Sequence, residues 1–144
     1  MNTKELQEEI ANDMKRWQKV EEESVASAGQ IMAKTDNSIV KLVMEVIQRD
    51  SQMHHRLQGL IVESLERKAF SLTPEELGGI RGMIERHIQL EERMIECTEE
   101  ALSKVKGKTL VLQEYLLNYL LVDERKHRSM LDSLEKVKKG IIYP

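Results

Sequence analysis

Residues 115–137 read YLLNYLLVDERKHRSMLDSLEKV, and their spacing decides the fold. Tyr115, Tyr119, Met130, Leu134 and Val137 recur three and four apart, a period that lines one face of an α-helix and fits no strand. On that same face Asp123 and His127 stand where two apolar residues are due. Beside them, Glu124 and His127 lie at i and i+3, a spacing that points a carboxylate and an imidazole at one place.

Three other stretches repeat the period. The first runs from about Lys4 to Lys34, with Ile10, Met14, Trp17, Glu21, Ser24, Ala28 and Ile31 on its inner stripe. Thr35, Asp36, Asn37 and Ser38 then supply a turn and an N-cap. The second helix carries Ile39, Val43, Val46, Asp50, His54, Leu57 and Ile61, ending near Lys68. Thr73, Pro74 and Glu76 spell a capping box with proline at the first helical position. Behind that start come Leu77, Ile80, Ile84, His87, Glu91, Met94, Thr98 and Ala101. Gly107 and Thr109 mark the last turn before the fourth helix, which opens its stripe at Leu112. With only 2 prolines, 7 glycines, one Trp, three Tyr and one Phe in 144 residues, a sandwich or barrel lacks its turns and its strand formers. The expected fold is all-α: an antiparallel four-helix bundle in one domain, residues 1–144, built of two similar hairpins, 4–68 and 75–138, with a tail at 139–144.

A shift of 70 to 73 residues lays the second hairpin on the first. Trp17 then falls on His87, Glu21 on Glu91, Asp50 on Asp123 and His54 on His127. At ~1.5 Å per residue, Glu21 and Asp50 both sit ~21–23 Å from the first turn, and Glu91 and Asp123 ~24 Å from Gly107. The polar residues therefore share one level in mid-bundle. Buried carboxylates gathered there need protons, cationic partners or a metal. Within the acidic runs the stripe phase selects Glu21 and Glu91 as inward, with Glu22 and Glu92 as their alternates.

A Glu from each of two helices plus Glu-x-x-His motifs from the other two is the ligand set of di-iron carboxylate bundles. From about Met14 to Leu134 the chain resembles the ferritin-like superfamily, and within it the small rubrerythrin-like proteins. That resemblance implies Glu21 and Glu91 as terminal ligands, Glu124 as a bridging carboxylate, and His54 and His127 as ligands of one metal each. It places Asp50 and Asp123 where an aspartate orients a ligating imidazole. The cofactor it implies is iron or manganese, one or two ions per bundle, with oxidation of ferrous iron or reduction of oxygen or peroxide as the chemistry. The chain departs from the family at Ser51, which stands where the second bridging Glu belongs. A hydroxyl is a poor iron ligand, so the alternative function is a non-enzymatic interaction or structural module with a degenerate site.

Residues 69–76, the connection between the hairpins, span at most ~27 Å, short of a ~45 Å helix. Within one chain this gives up-down-up-down topology. The superfamily's arrangement would need hairpins exchanged between two chains, so a hairpin-swapped homodimer is expected. Four histidines, two of them adjacent, are too few for a haemerythrin-type site. His87, one turn before Glu91 on the inner face, reads as a core histidine with a ligand as the alternative; Trp17, Tyr115, Tyr119 and the eight methionines read as core and seam residues, Cys97 as an inert buried thiol, and His55 as exposed. A net charge of -3 offers no basic field for nucleic acid, and no apolar run reaches the ~20 residues of a membrane span. The opening MNTKELQEEI has no apolar signal region and a single cysteine forms no internal disulfide, so a cytoplasmic location is expected.

Overall fold

The computed structural model describes residues 1–67, 70 and 72–140, with side chains placed as far as residue 134. It is all-α: helices α1 (Thr3–Lys34), α2 (Ser38–Glu66), α3 (Pro74–Val105) and α4 (Val111–Gly140), with no strand among the described residues. No helix among them is long and apolar enough to cross a membrane. Contacts divide the chain into two units, residues 1–70 and 71–144, in which α1 packs on α2 and α3 packs on α4. The expected ending at Lys68, linker residues Ala69 and Ser71, the Val137 side chain and residues 141–144 lie outside the described residues.

Local chemistry starts the first three helices. Asn2 caps α1 in a reciprocal capping box with Glu5. Asn37 caps α2 by accepting from the backbone N–H groups of Ile39 and Val40. Thr73 caps α3 in a box with Glu76, and Pro74 occupies the first helical position, whose N–H would have no partner in any case. After α3 the chain reverses through Gly107 at φ 73°, a left-handed conformation that glycine adopts without strain. Gly78 and Gly79, by contrast, lie inside α3 with nothing within 4 Å of an added Cβ. Replacing both by alanine therefore removes only backbone freedom, and should stabilise the second unit by about 1.5–2 kcal/mol, read as a raised urea midpoint at unchanged m-value.

Both pairs are antiparallel. In the first unit Lys15 bonds Glu66 at 2.6 Å, while Ser24 meets Ser51 at 2.8 Å, so partners descend on α2 as residues rise on α1. In the second, Glu92 takes Arg128 at 2.8 Å and Glu99 takes Arg125 at 2.7 Å. The α1–α2 seam is a close one. Gln18 donates to the His55 carbonyl and Gln48 to the Val25 carbonyl, each at 3.1 Å. A Cβ on Gly59 would stand 3.1 Å from the Gln18 amide nitrogen, and one on Gly29 would stand 3.4 Å from that of Gln48. Gln18, Val25 and Gly29 on α1 thus correspond one for one, at identical spacing, to Gln48, His55 and Gly59 on α2. The same correspondence sets Glu21 against Ser51 and Ser24 against His54.

What lies buried corrects the inner stripe. The first seam covers Ala11, Met14, Ala28 and Ser51, small residues but for one, because helices that approach closely have room for little else. The second covers Leu77, Glu91, Thr98 and Leu121. Trp17 (52% exposed), Ile31, Leu57, Ile61, Ile80, Met94, Leu112, Tyr115, Tyr119 and Met130 were assigned to the stripe or seam and are exposed. Two helices in contact bury a narrow strip between them, and the flanks of a wide apolar arc remain open. Cys97 is exposed too, contrary to its expected burial, because it lies one position off the inward line of Glu91, Ile95 and Thr98.

Candidate metal centre

The second unit gathers titratable groups on long, capped helices. From α3, Glu91 is buried, its side chain 9% exposed; its neighbour Glu92 turns outward to Arg128. From α4, Glu124 and His127 face it across the seam. His127 Nδ1 lies 3.5 Å from Glu91 Oε1 and 3.9 Å from Glu124 Oε2. One donor atom from each of Glu91, Glu124 and His127 can be chosen so that all lie within 4.8 Å of one another. The other imidazole nitrogen, Nε2, lies 3.4 Å from Asp123 Oδ2 one turn back on the same helix. A proton held on Nε2 toward that carboxylate leaves Nδ1 with its lone pair aimed at two carboxyl groups. Glu91 Oε2 is buried without a hydrogen-bond partner.

Two carboxyls this close cannot both be ionised cheaply. The Glu124 carboxyl beside it holds Glu91 below its ordinary 4.5, against burial, which pushes it up; His87 and His127 add to the lowering. The same neighbour, Glu91, is the largest cause raising Glu124 above 4.5, and burial acts with it. Glu124 therefore keeps its proton to higher pH than Glu91. The two signs differ. Glu91 contributes stability above the ordinary carboxylate value and loses it as pH falls through its lowered one. Glu124 contributes stability below 4.5 and loses it as pH rises through its raised value. Chelator-treated protein should therefore lose melting temperature across that upper window more steeply than Glu124→Gln, which keeps an N–H toward Glu91 and has nothing to titrate.

The first unit holds the corresponding pair without the second carboxylate. His54 Nδ1 lies 3.3 Å from Glu21 Oε1, and the Gln58 amide donates to that same oxygen at 3.3 Å. Glu21 is inward, its side chain 18% exposed, whereas Glu22 points out and pairs with His55 at 3.1 Å. Ser51 is buried and shares its hydroxyl bond with Ser24. Asp50 departs from the expectation drawn for it: it is exposed, and its side chain meets no imidazole among the described residues. Asp123 does approach an imidazole, that of its own helix.

Two participants were missed or misassigned. Gln58, outside the stripe read from the sequence, lies one turn beyond His54 and supplies Glu21 with a donor. His87, assigned to the core, is 58% exposed and sets Nε2 3.1 Å from Glu91 Oε1. The i, i+4 spacing of His87 and Glu91, legible in the sequence, is what brings the two together. Set against known protein families, curated proteins and solved structures, the chain matches none of them.

Proposed function

We propose that the chain is a ferritin-like metal-binding protein, and that its second unit binds iron or manganese through Glu91, Glu124 and His127. One observation carries this reading: a buried carboxylate with an unpartnered oxygen faces an imidazole and a second carboxyl whose donor atoms converge on the same few ångströms. A divalent cation answers all three groups at once. Glu91, Glu124 and His127 would hold it, Glu91 Oε2 gaining the partner it lacks and Glu124 giving up its proton. Carboxylate oxygens with imidazole nitrogen suit manganese and iron more than softer ions. Bound iron would supply one-electron chemistry toward oxygen or peroxide, the oxidoreductase activity that the family resemblance implies. The chain's own part is to hold the donors on rigid helices, to keep the His127 proton on Nε2 through Asp123, and to exchange the Glu124 proton. The hairpin-swapped homodimer drawn from the linker length belongs to the same proposal.

Chelator-treated protein loaded anaerobically with Fe²⁺ or Mn²⁺ should retain near-stoichiometric metal after desalting. At a hundredfold excess over Kd the ion stabilises by about 2.7 kcal/mol, a rise in melting temperature of roughly 5–10 °C. Metal-free protein after loading, with an unmoved melting curve, would sink the reading. A second reading has its own support in the Ser24–Ser51 bond. There the first unit is closed by hydroxyls, and the fold serves as a scaffold for binding other molecules.

A further inference from the structure

Three large apolar side chains of α2 stand on the side turned away from α1: Leu42 (46% exposed), Met53 (49%) and Leu60 (47%). Leu42 and Leu60 each lie about two and a half turns from Ser51, which is buried, so both point the opposite way. Met53 is about three turns from Leu42 and joins the same line. We infer that this outer face of α2 pairs, antiparallel, with the same face of a second copy of the chain.

The hairpin itself does not require these residues. None of the three belongs to the inner stripe of α2, which passes through Asp50 and His54. The internal repeat supplies the comparison. The shift that lays Asp50 on Asp123 and His54 on His127 lays Leu42, Met53 and Leu60 on Tyr115, Lys126 and Ser133. The second unit thus pairs its helices with a lysine and a serine where the first carries methionine and leucine.

Spacing and charge identify the occupant. Leu42, Val46, Arg49, Met53, Arg56 and Leu60 recur four and three apart, the seam of two helices that wind on each other. In a parallel pair Arg49 would stand on Arg49 and Arg56 on Arg56, like charges brought together. Run antiparallel, the line matches itself. Leu42 meets Leu60 of the second copy, Val46 meets Arg56, and Arg49 meets Met53. Each arginine then lays its stem on an apolar residue and sends its head to water. The Arg49 head is already held by Glu45 of its own helix at 2.8 Å. A surface that complements itself in this way is that of an isologous, two-fold contact. Six side chains from each copy along ~27 Å of helix, with their neighbours at the rim, cover roughly 1,000 Å², the lower bound of a specific interface. The association is therefore weak and concentration-dependent. It uses the outside of α2 alone and rests on neither the metal-binding reading nor the exchange of hairpins.

The test uses the full-length chain. Sedimentation velocity from micromolar to submillimolar concentration should show an average mass that rises with concentration. Met53→Glu should weaken this association at least ~10-fold, since each substitution counts twice across a two-fold contact. Circular dichroism checks its fold, which should hold because Met53 is half exposed. A second measurement reads direction. In a Cys97→Ser background, Leu42→Cys chains mixed with Leu60→Cys chains should become disulfide-linked in oxidised glutathione, while neither variant links to itself. A mass independent of concentration would overturn the inference, as would unchanged association in Met53→Glu or either cysteine variant linking alone as readily as the mixture. A chain of constant mass that instead sediments with vesicles of anionic lipid would give this face to a membrane surface and overturn it too.

Discussion

His127→Ala should abolish metal retention under conditions that saturate the wild-type chain. The imidazole meets three carboxyl groups at once: Nδ1 faces Glu91 and Glu124, and Nε2 faces Asp123. Removing it takes away a nitrogen donor and leaves only the two carboxyls of Glu91 and Glu124 to hold a cation. A fall in affinity of 100-fold or more is expected, enough to erase the metal-dependent rise in melting temperature as well. The metal-free variant should fold normally, because His127 is 41% exposed and fills no core position. His127→Ala protein that keeps its metal through desalting would contradict the site.

Ser51→Glu should act in two opposed directions. Ser51 is 5% exposed and sits 2.8 Å from Ser24, so a glutamate there brings a carboxylate into a seam built for a hydroxyl, near Glu21. The metal-free variant should be destabilised by about 2–3 kcal/mol, combining overpacking with an unpaired buried charge. Metal should reverse this. The first unit would then own the carboxylate, imidazole and second carboxylate that the second unit has in Glu91, His127 and Glu124, and the bound metal should rise from one to two per chain. Unfolding curves with and without Mn²⁺, together with metal analysis, read both effects. A variant that loses no stability without metal and gains no second ion would show that residue 51 does not face Glu21.

The sequence made legible whatever is decided within a few residues. The Thr73–Glu76 capping box, Pro74 and the left-handed turn at Gly107 depend on local hydrogen bonds and backbone sterics, and they stand where the spacing puts them. The polar level was legible for a different reason: Glu91, Asp123 and His127 interrupt a periodic stripe, and an interruption has a position. The phase of each seam was not. The centre of an apolar arc marks where bulk is available, whereas two helices in close contact select small side chains, so Ala11, Ala28 and Ser51 are buried while Trp17 and Leu57 stay outside. Glutamine defeats pattern reading in the same way. Gln18, Gln48 and Gln58 count as polar in any periodicity, yet each sends an amide across to the neighbouring helix. His87 was placed on the inner face, but its role there came from the contact with Glu91, which a stripe cannot report.

The paired glutamine-over-glycine fits in the first unit have a mechanical consequence. They lie ~15 Å and ~26 Å along the helices from the connecting loop, and each sets an amide on a carbonyl beside a glycine, tightly at Gly59 and at ordinary contact distance at Gly29. The axial setting of α1 against α2 is thus keyed twice from within, and residues 35–37 act as a tether with no say in it. A slip by one helical turn would unseat both keys together, so neither can absorb the error of the other. Glu21 and His54 would then keep the same height with a longer tether, or with the two helices supplied as separate peptides.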